Sequence, residues 1–339
     1  MTDTQPMPDS AADLQATEHW LVRHGLPYFV PEEREAARSA LHSRRTALML
    51  AVTVLVALAG GVVLAVVFGD AAAAPTILML LVGAAVLGYG ATALRARPIA
   101  VWAVGRTLAS LRLLVPLVTR ALPLLLLFVT FLFINAEVWE LSATLDGAVL
   151  WLTVMVFATF AVGFLLVRLP EELDRTDHEL DHDALLAACR GTPLENRASR
   201  WLQESGADTL TLDVDMRRYE KANLVLVLVI AQSVQVLLLA LSVFAFFMVF
   251  GAVVMTAGTQ SHWAGVDPAD LHPAPGLANV TYELFQVSVF LAAFSGFYFA
   301  VSAVSDEAYR DQFFTTVKRE LDRAVAVRTV YLALRGRAG

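Results

Sequence analysis

The run Asn223–Val254, NLVLVLVIAQSVQVLLLALSVFAFFMVFGAVV, decides the class of this chain, because about 32 consecutive positions carry no charged residue. As an α-helix rising 1.5 Å per residue it would be about 48 Å long, against ~30 Å for the hydrocarbon core of a bilayer. A helix apolar on every face is a membrane span or a deeply buried core helix. The surplus length predicts that this one tilts or protrudes.

The same signal recurs on both sides of it. Runs near Thr46–Phe68, Ala73–Leu94, Ala148–Val167 and Tyr282–Ser305 each hold about one bilayer's worth of apolar residues, and a further crossing is expected within Leu114–Val138. The predicted fold is therefore an all-α polytopic membrane protein of six transmembrane helices. With 57% of its residues from AVILMFWYC and only 17% charged, the chain departs from soluble composition in the direction those spans require. A net charge of −7 provides no concentrated basic surface, so nucleic acid is not an expected partner.

Orientation follows from arginine and lysine. All 25 basic residues fall before the first run, between the second and third, between the fourth and fifth, or after the sixth. The alternate connections, near 69–72, 139–147 and 257–281, contain none. The positive-inside rule then places both termini in the cytoplasm. Seven carboxylates, Asp70, Glu137, Glu140, Asp146, Asp267, Asp270 and Glu283, fall outside, so the outer side carries the entire net charge. Only two of the basic residues are lysines, and Ala, Val, Leu and Gly are abundant, which suggests a high-GC bacterium and its plasma membrane. A single cysteine, Cys189, cannot form an internal disulfide.

The polar segments form an expected helical cytoplasmic layer. Residues 1–45 read as two helices. Ser10 and Asp13 resemble a capping box opening a helix to His24, with Gly25 as its stop; Pro31 suits the first turn of a second helix, continuing through Glu32–Arg45 into the first span. Within the membrane block 46–169, Pro98, Pro116 and Pro123 divide a long segment, and Ile99–Val115 reads as an interfacial helix because Arg106 and Arg112 interrupt it. The connection 170–222 holds 13 acidic residues and is expected to form helices near 172–189 and 193–204, then a strand over 209–216 from the alternation Leu210, Leu212, Val214, Met216. After the spans of 223–305, the tail 306–339 is an amphipathic helix whose stripe is Phe314, Val317, Leu321, Ala324 and Tyr331.

Three constellations could carry chemistry. His178-Glu179-Leu180-Asp181-His182 resembles the zincin metallopeptidase signature, which implies zinc on His178 and His182 with Glu179 as base. Asp177, Asp181 and Asp183 place charges where such helices have uncharged residues, and the histidines face away from Leu173, Leu180 and Leu185, toward water. No cofactor is expected. The second constellation is a set of intramembrane polar residues: Gln232, Gln235 and Ser242, then Gln286, Ser288, Ser295, Tyr298 and Ser302. Such groups line pathways or glue helices together. The third is an acidic outer mouth of Asn135, Glu137 and Glu283 that would gather cations, beside Trp139 as an interfacial anchor.

Two functions follow as expectations, with a zinc metallopeptidase through His178-Glu179-Leu180-Asp181-His182 as a third. One is an oligomeric channel, cation-favouring and lined by the last two spans. The other is a non-conducting membrane scaffold or regulator that recruits a cytoplasmic protein. The expected partners are the lipid bilayer, further copies of the chain, and that protein. Small residues at four-residue spacing, Ala57, Gly61 and Ala65, then Ala84, Gly88 and Thr92, are read as helix-packing seams.

Overall fold

The computed structural model describes residues 8–41, 44–68, 73–92, 96–109, 127–174, 182–205, 218–305 and 323–335. These are almost entirely helical: α1 Pro8–Arg23, α2 Pro31–Leu41, α3 Arg44–Phe68, α4 Ala73–Thr92, α5 Arg97–Ala109, α6 (127–133), α7 Ala136–Ala143, α8 Ala148–Asp174, α9 His182–Cys189, α10 Glu195–Ser205, α11 Arg218–Val254, α12 Ala257–Ala264, α13 Tyr282–Ser305 and α14 (323–335). Strands β1 Pro273–Ala274 and β2 Leu277–Thr281 pair antiparallel as a small hairpin. Among the described residues four helices are long and apolar enough to cross a membrane: α4, α8, α11 and α13.

The long helix α11 is the axis. α13, α8 and α5 pack against it, α13 also packs on α8, and the pair α3–α4 joins the bundle through α4 on α8. Thr76 fixes that junction by donating to the carbonyl of Ala148 at 3.0 Å. α11 begins at Arg218 rather than Asn223, and Glu220 and Asn223 of its first turns are buried in the polar layer, while Arg218, Lys221 and Ala222 are exposed. A charge tolerated there extends the 37-residue helix to about 55 Å.

Two cores result. The inner one, named for the polar-layer end of the bundle, joins Leu21, Phe29 and Val30, Leu165 and Leu169 of α8, Leu185 of α9, Leu194 before α10, Leu224 to Val229 of α11, and Val325 to Tyr331 of α14. The outer one joins Val129 and Phe133 of α6, Trp139 of α7, Val243 and Phe247 of α11, and Leu284 to Leu291 of α13. Here Phe133 stacks on Phe247 at 4.6 Å between ring centroids and meets Trp139 edge-on at 5.4 Å.

Several expectations are corrected. The crossing expected within Leu114–Val138 is described only from residue 127; its helix ends at 133, inside the expected range, where Asn135 is extended and its side chain accepts from the Glu137 N–H at 2.9 Å, capping a new helix. Trp139 is no interfacial anchor: it is 1% exposed and its indole donates to the Phe133 carbonyl at 2.7 Å. α1 includes Ser10 within its first turn, since it already begins at Pro8. The stop at Gly25 and the start at Pro31 are as expected; Gly25 takes φ +76°, and Trp102 of α5 lies flat against the space where a Cβ would stand. α14 is buried on every side from Ala324 to Tyr331, so that stretch is no one-sided stripe. The connection 257–281 folds as α12 plus the hairpin, with Thr256 as N-cap and Gly265 as left-handed C-cap at φ +70°. The proposed strand 209–216, the residues Phe314, Val317 and Leu321, and the join between α2 and α3 lie outside the described residues.

Candidate functional site

The densest buried chemistry sits where α11 enters the polar layer. Glu220 is fully buried and is held by two arginines from opposite ends of the chain. Arg34 of α2 donates to Oε1 at 2.9 Å, and Arg328 of α14, itself fully buried, donates to Oε2 at 2.8 Å. One turn on, Asn223 donates to the Gly25 carbonyl at 2.7 Å and accepts from the Tyr28 N–H at 3.0 Å, satisfying the backbone of the α1–α2 turn. These contacts join segments 108 to 198 residues apart. A buried carboxylate between two guanidiniums needs such pairing, because an unpaired charge there would be strongly destabilising.

A second network lies just outside it. Tyr331 donates to Glu18 at 2.7 Å, and Arg335 bridges Glu18 at 3.3 Å and Glu32 at 2.7 Å. The hydrogen bond from Arg335 holds the Glu32 carboxyl below the usual carboxylate range. Burial pushes the Tyr331 phenol up, reinforced by Glu18. Beside this network a cleft of about 590 Å³ opens between α1 and α2, lined by Glu18, His19, Val22, Arg23, Val30, Glu32 and Glu33. Arg323 closes the far side of the layer, donating to the Ala188 carbonyl at 3.0 Å and to the Arg190 carbonyl at 2.5 Å, with its guanidinium 5.8 Å from the Trp20 ring centroid. Arg197 lies 2.8 Å from Asp13, an ion pair without hydrogen-bond alignment. Cys189 is buried, which pushes its thiol up to about 11 and keeps it protonated at neutral pH.

The intramembrane candidates have diverse surroundings. Gln232 and Gln235 are buried, and Oε1 of Gln235 has no hydrogen-bond partner. Ser242 is exposed and bonds the Leu238 carbonyl of its own helix at 2.8 Å. Ser295 is buried and likewise bonds Leu291 at 2.6 Å. Ser288 is buried with no hydrogen-bond partner on Oγ. Tyr298 is 45% exposed against Phe128, and Ser302 is half-buried. Gln286 fastens the α7–α8 connection, donating to the Leu145 carbonyl and to Asp146, both at 3.0 Å.

At the outer end, Asn135 is a helix cap and Glu137 is exposed on the first turn of α7. Glu283 is buried under the hairpin; one oxygen lies 3.4 Å from His272 Nδ1 and the other has no hydrogen-bond partner. Gln260 donates to the Asn279 carbonyl at 2.8 Å and accepts from Thr281 at 2.6 Å, while Thr281 caps α13 by accepting from the Leu284 N–H at 3.0 Å. His178 lies outside the described residues, and α9 begins at His182. Among the described residues no three metal-ligating side chains converge. Of the packing seams, Gly61 lies against the Ala74 backbone, while Ala84 and Gly88 face outward.

Sequence reasoning missed Glu220, Asn223 and Arg328. The one signal available was Glu220 itself, an acid set three residues before an uninterrupted span. No family model, curated protein or solved structure matches this chain.

Proposed function

We propose that this chain is a bacterial plasma-membrane protein of six spans with both termini cytoplasmic, and that it works as a non-conducting scaffold or regulator whose cytoplasmic layer recruits a protein partner. The observation that carries this reading is the double clamp on Glu220. It ties both chain ends to the start of α11, making the layer a fixed platform in register with the bundle. The α1–α2 cleft, with charged walls and Val22 and Val30 among its lining residues, is the surface offered to the partner. The intramembrane polar groups support the same reading where their bonds stay within the chain, as for Ser242, Gln286 and Ser295.

The test is reconstitution of the purified protein in liposomes with cation and anion flux recorded under varied voltage, pH and tension, beside affinity capture with the wild type and a Glu33→Lys variant of the cleft. The expected result is no flux, and a specific partner lost on the charge reversal. A second reading, an oligomeric cation channel lined by α11 and α13, is favoured by Gln235 Oε1 and Ser288 Oγ, which a file of water would satisfy. Flux abolished by Gln235→Leu with assembly intact would establish that reading against the first.

A further inference from the structure

The outer hairpin is fastened by contacts of two kinds. The first kind is neutral. The Tyr282 N–H donates to the His272 carbonyl at 3.0 Å, closing the base of the hairpin. Thr281 donates to Gln260 of α12 at 2.6 Å, and Asn279 donates to the Ala252 carbonyl near the end of α11 at 3.3 Å. The second kind is ionic: His272 Nδ1 lies 3.4 Å from Oε1 of Glu283, on the first turn of α13.

The two ionic partners differ in exposure. The His272 side chain is 76% exposed and the Glu283 side chain 7%. The second carboxylate oxygen of Glu283 is buried without a hydrogen-bond partner. A carboxylate in that setting requires a counter-charge. The chain brings no permanent one to it, because residues 127–167 and 222–305 contain no arginine or lysine. The elements packed most extensively on α13 are α7, α8, α11, α12 and β2. α7 carries Glu137 and Glu140, the α7–α8 connection Asp146, the approach to the hairpin Asp267 and Asp270, and α12 His262. α8 and α11 carry charge only at their polar-layer ends, from Arg168 on and up to Lys221. The fixed charges of these outer segments are therefore all negative, and the histidines are the groups that can turn positive. Of the two, His272 is the one placed against Glu283.

Imidazole changes charge between about pH 5 and pH 8. With His272 positive, its contact with Glu283 is an ion pair. With His272 neutral, a closed hairpin buries Glu283 without a counter-charge, and opening returns the carboxylate to water. Protonation of His272 therefore favours the closed hairpin, and its loss favours release.

We propose that the hairpin 273–281 is a pH-sensitive clasp over the outer end of α13, closed by protonation of His272 and loosened as the pH rises. The clasp requires only the fold of the outer end. It stands independently of whether the protein conducts or recruits a partner.

The test is hydrogen–deuterium exchange of the full chain in nanodiscs at about pH 5.5 and about pH 8, with labelling times scaled for the intrinsic pH dependence of amide exchange. In the wild type, peptides covering 272–286 are expected to be several-fold better protected at the lower pH. His272→Asn should remove that difference and hold exchange at the wild-type level of the higher pH. His262→Asn should keep the difference. Both replaced residues are exposed, so neither variant disturbs a core, and melting curves verify that each is folded. Equal or better hairpin protection at the higher pH in the wild type would overturn the proposal. So would a difference that survives His272→Asn or is lost in His262→Asn.

Discussion

The two ends of the bundle are held by different chemistry. At the inner end, full charges are buried and paired across most of the chain: Glu220 with Arg34 and Arg328. At the outer end, neutral groups share most of the work beside one buried carboxylate, Glu283. Gln260, Thr281 and Asn279 interlock over 19 to 27 residues, and an aromatic stack on Phe133 fills the space beneath. Removing one member of a neutral pair costs one hydrogen bond, whereas removing one member of a buried ion pair leaves an uncompensated charge. The inner end is therefore the more specific and the more fragile. It is also where α2, α14 and the start of α11 meet, which is why the polar layer reads as a platform.

The largest effect is expected from Glu220→Ala, which leaves two arginines facing each other. It should lower unfolding free energy by about 3–5 kcal/mol, measured by thermal melting in nanodiscs; a change under about 1 kcal/mol would remove the clamp from the account. At the outer end, Gly251→Ala would drive a methyl into the Leu284 side chain and the Phe133 ring, costing about 1–3 kcal/mol by overpacking. Thr281→Val removes both the α13 cap and the donation to Gln260, and should cost about 1–3 kcal/mol, with faster hydrogen exchange confined to the hairpin and first turn of α13.

The smallest effect belongs to the exposed rim of the inner end. Arg335→Leu releases Glu32, whose side chain is 64% exposed, so the loss should be below about 1 kcal/mol. Its sign against pH is fixed by the lowered carboxyl. A depressed folded-state value stabilises above the unfolded value of about 4.3 and is lost as pH falls through the folded one. Wild type and variant should therefore differ at neutral pH and converge in acid. A difference that grows on acidification would contradict the Glu32 contact.

Much of the architecture was legible. Apolar runs mark α4, α8, α11 and α13, because the bilayer imposes a length that composition reveals directly. Gly25 and Pro31 mark the first helical turn-around, because left-handed backbone and a missing N–H are residue-specific demands. The clamp was not legible. Arg328 lies among residues that read as one face of a surface helix, and nothing local distinguishes a buried arginine from a solvated one when its partner is 108 positions away. Trp139 misled for the same reason: its position suggested the membrane interface, while Asn135 had already turned the chain inward. The outer hairpin was signalled only by Gly276 at φ +81°, within a stretch with little periodicity. Of the candidate residues, Gln286 shows how composition alone misses context, since its amide fastens a loop through Leu145 and Asp146.

The central claim is that both chain ends and the start of α11 behave as one unit. Hydrogen–deuterium exchange of the full chain in nanodiscs tests it most directly. Peptides covering 20–34, 218–229 and 324–331 should exchange slowly at a common rate, and Glu220→Ala should accelerate all three together while 257–286 stays unchanged. Rapid exchange of 324–331 in the wild type, or acceleration confined to α11 in the variant, would contradict it.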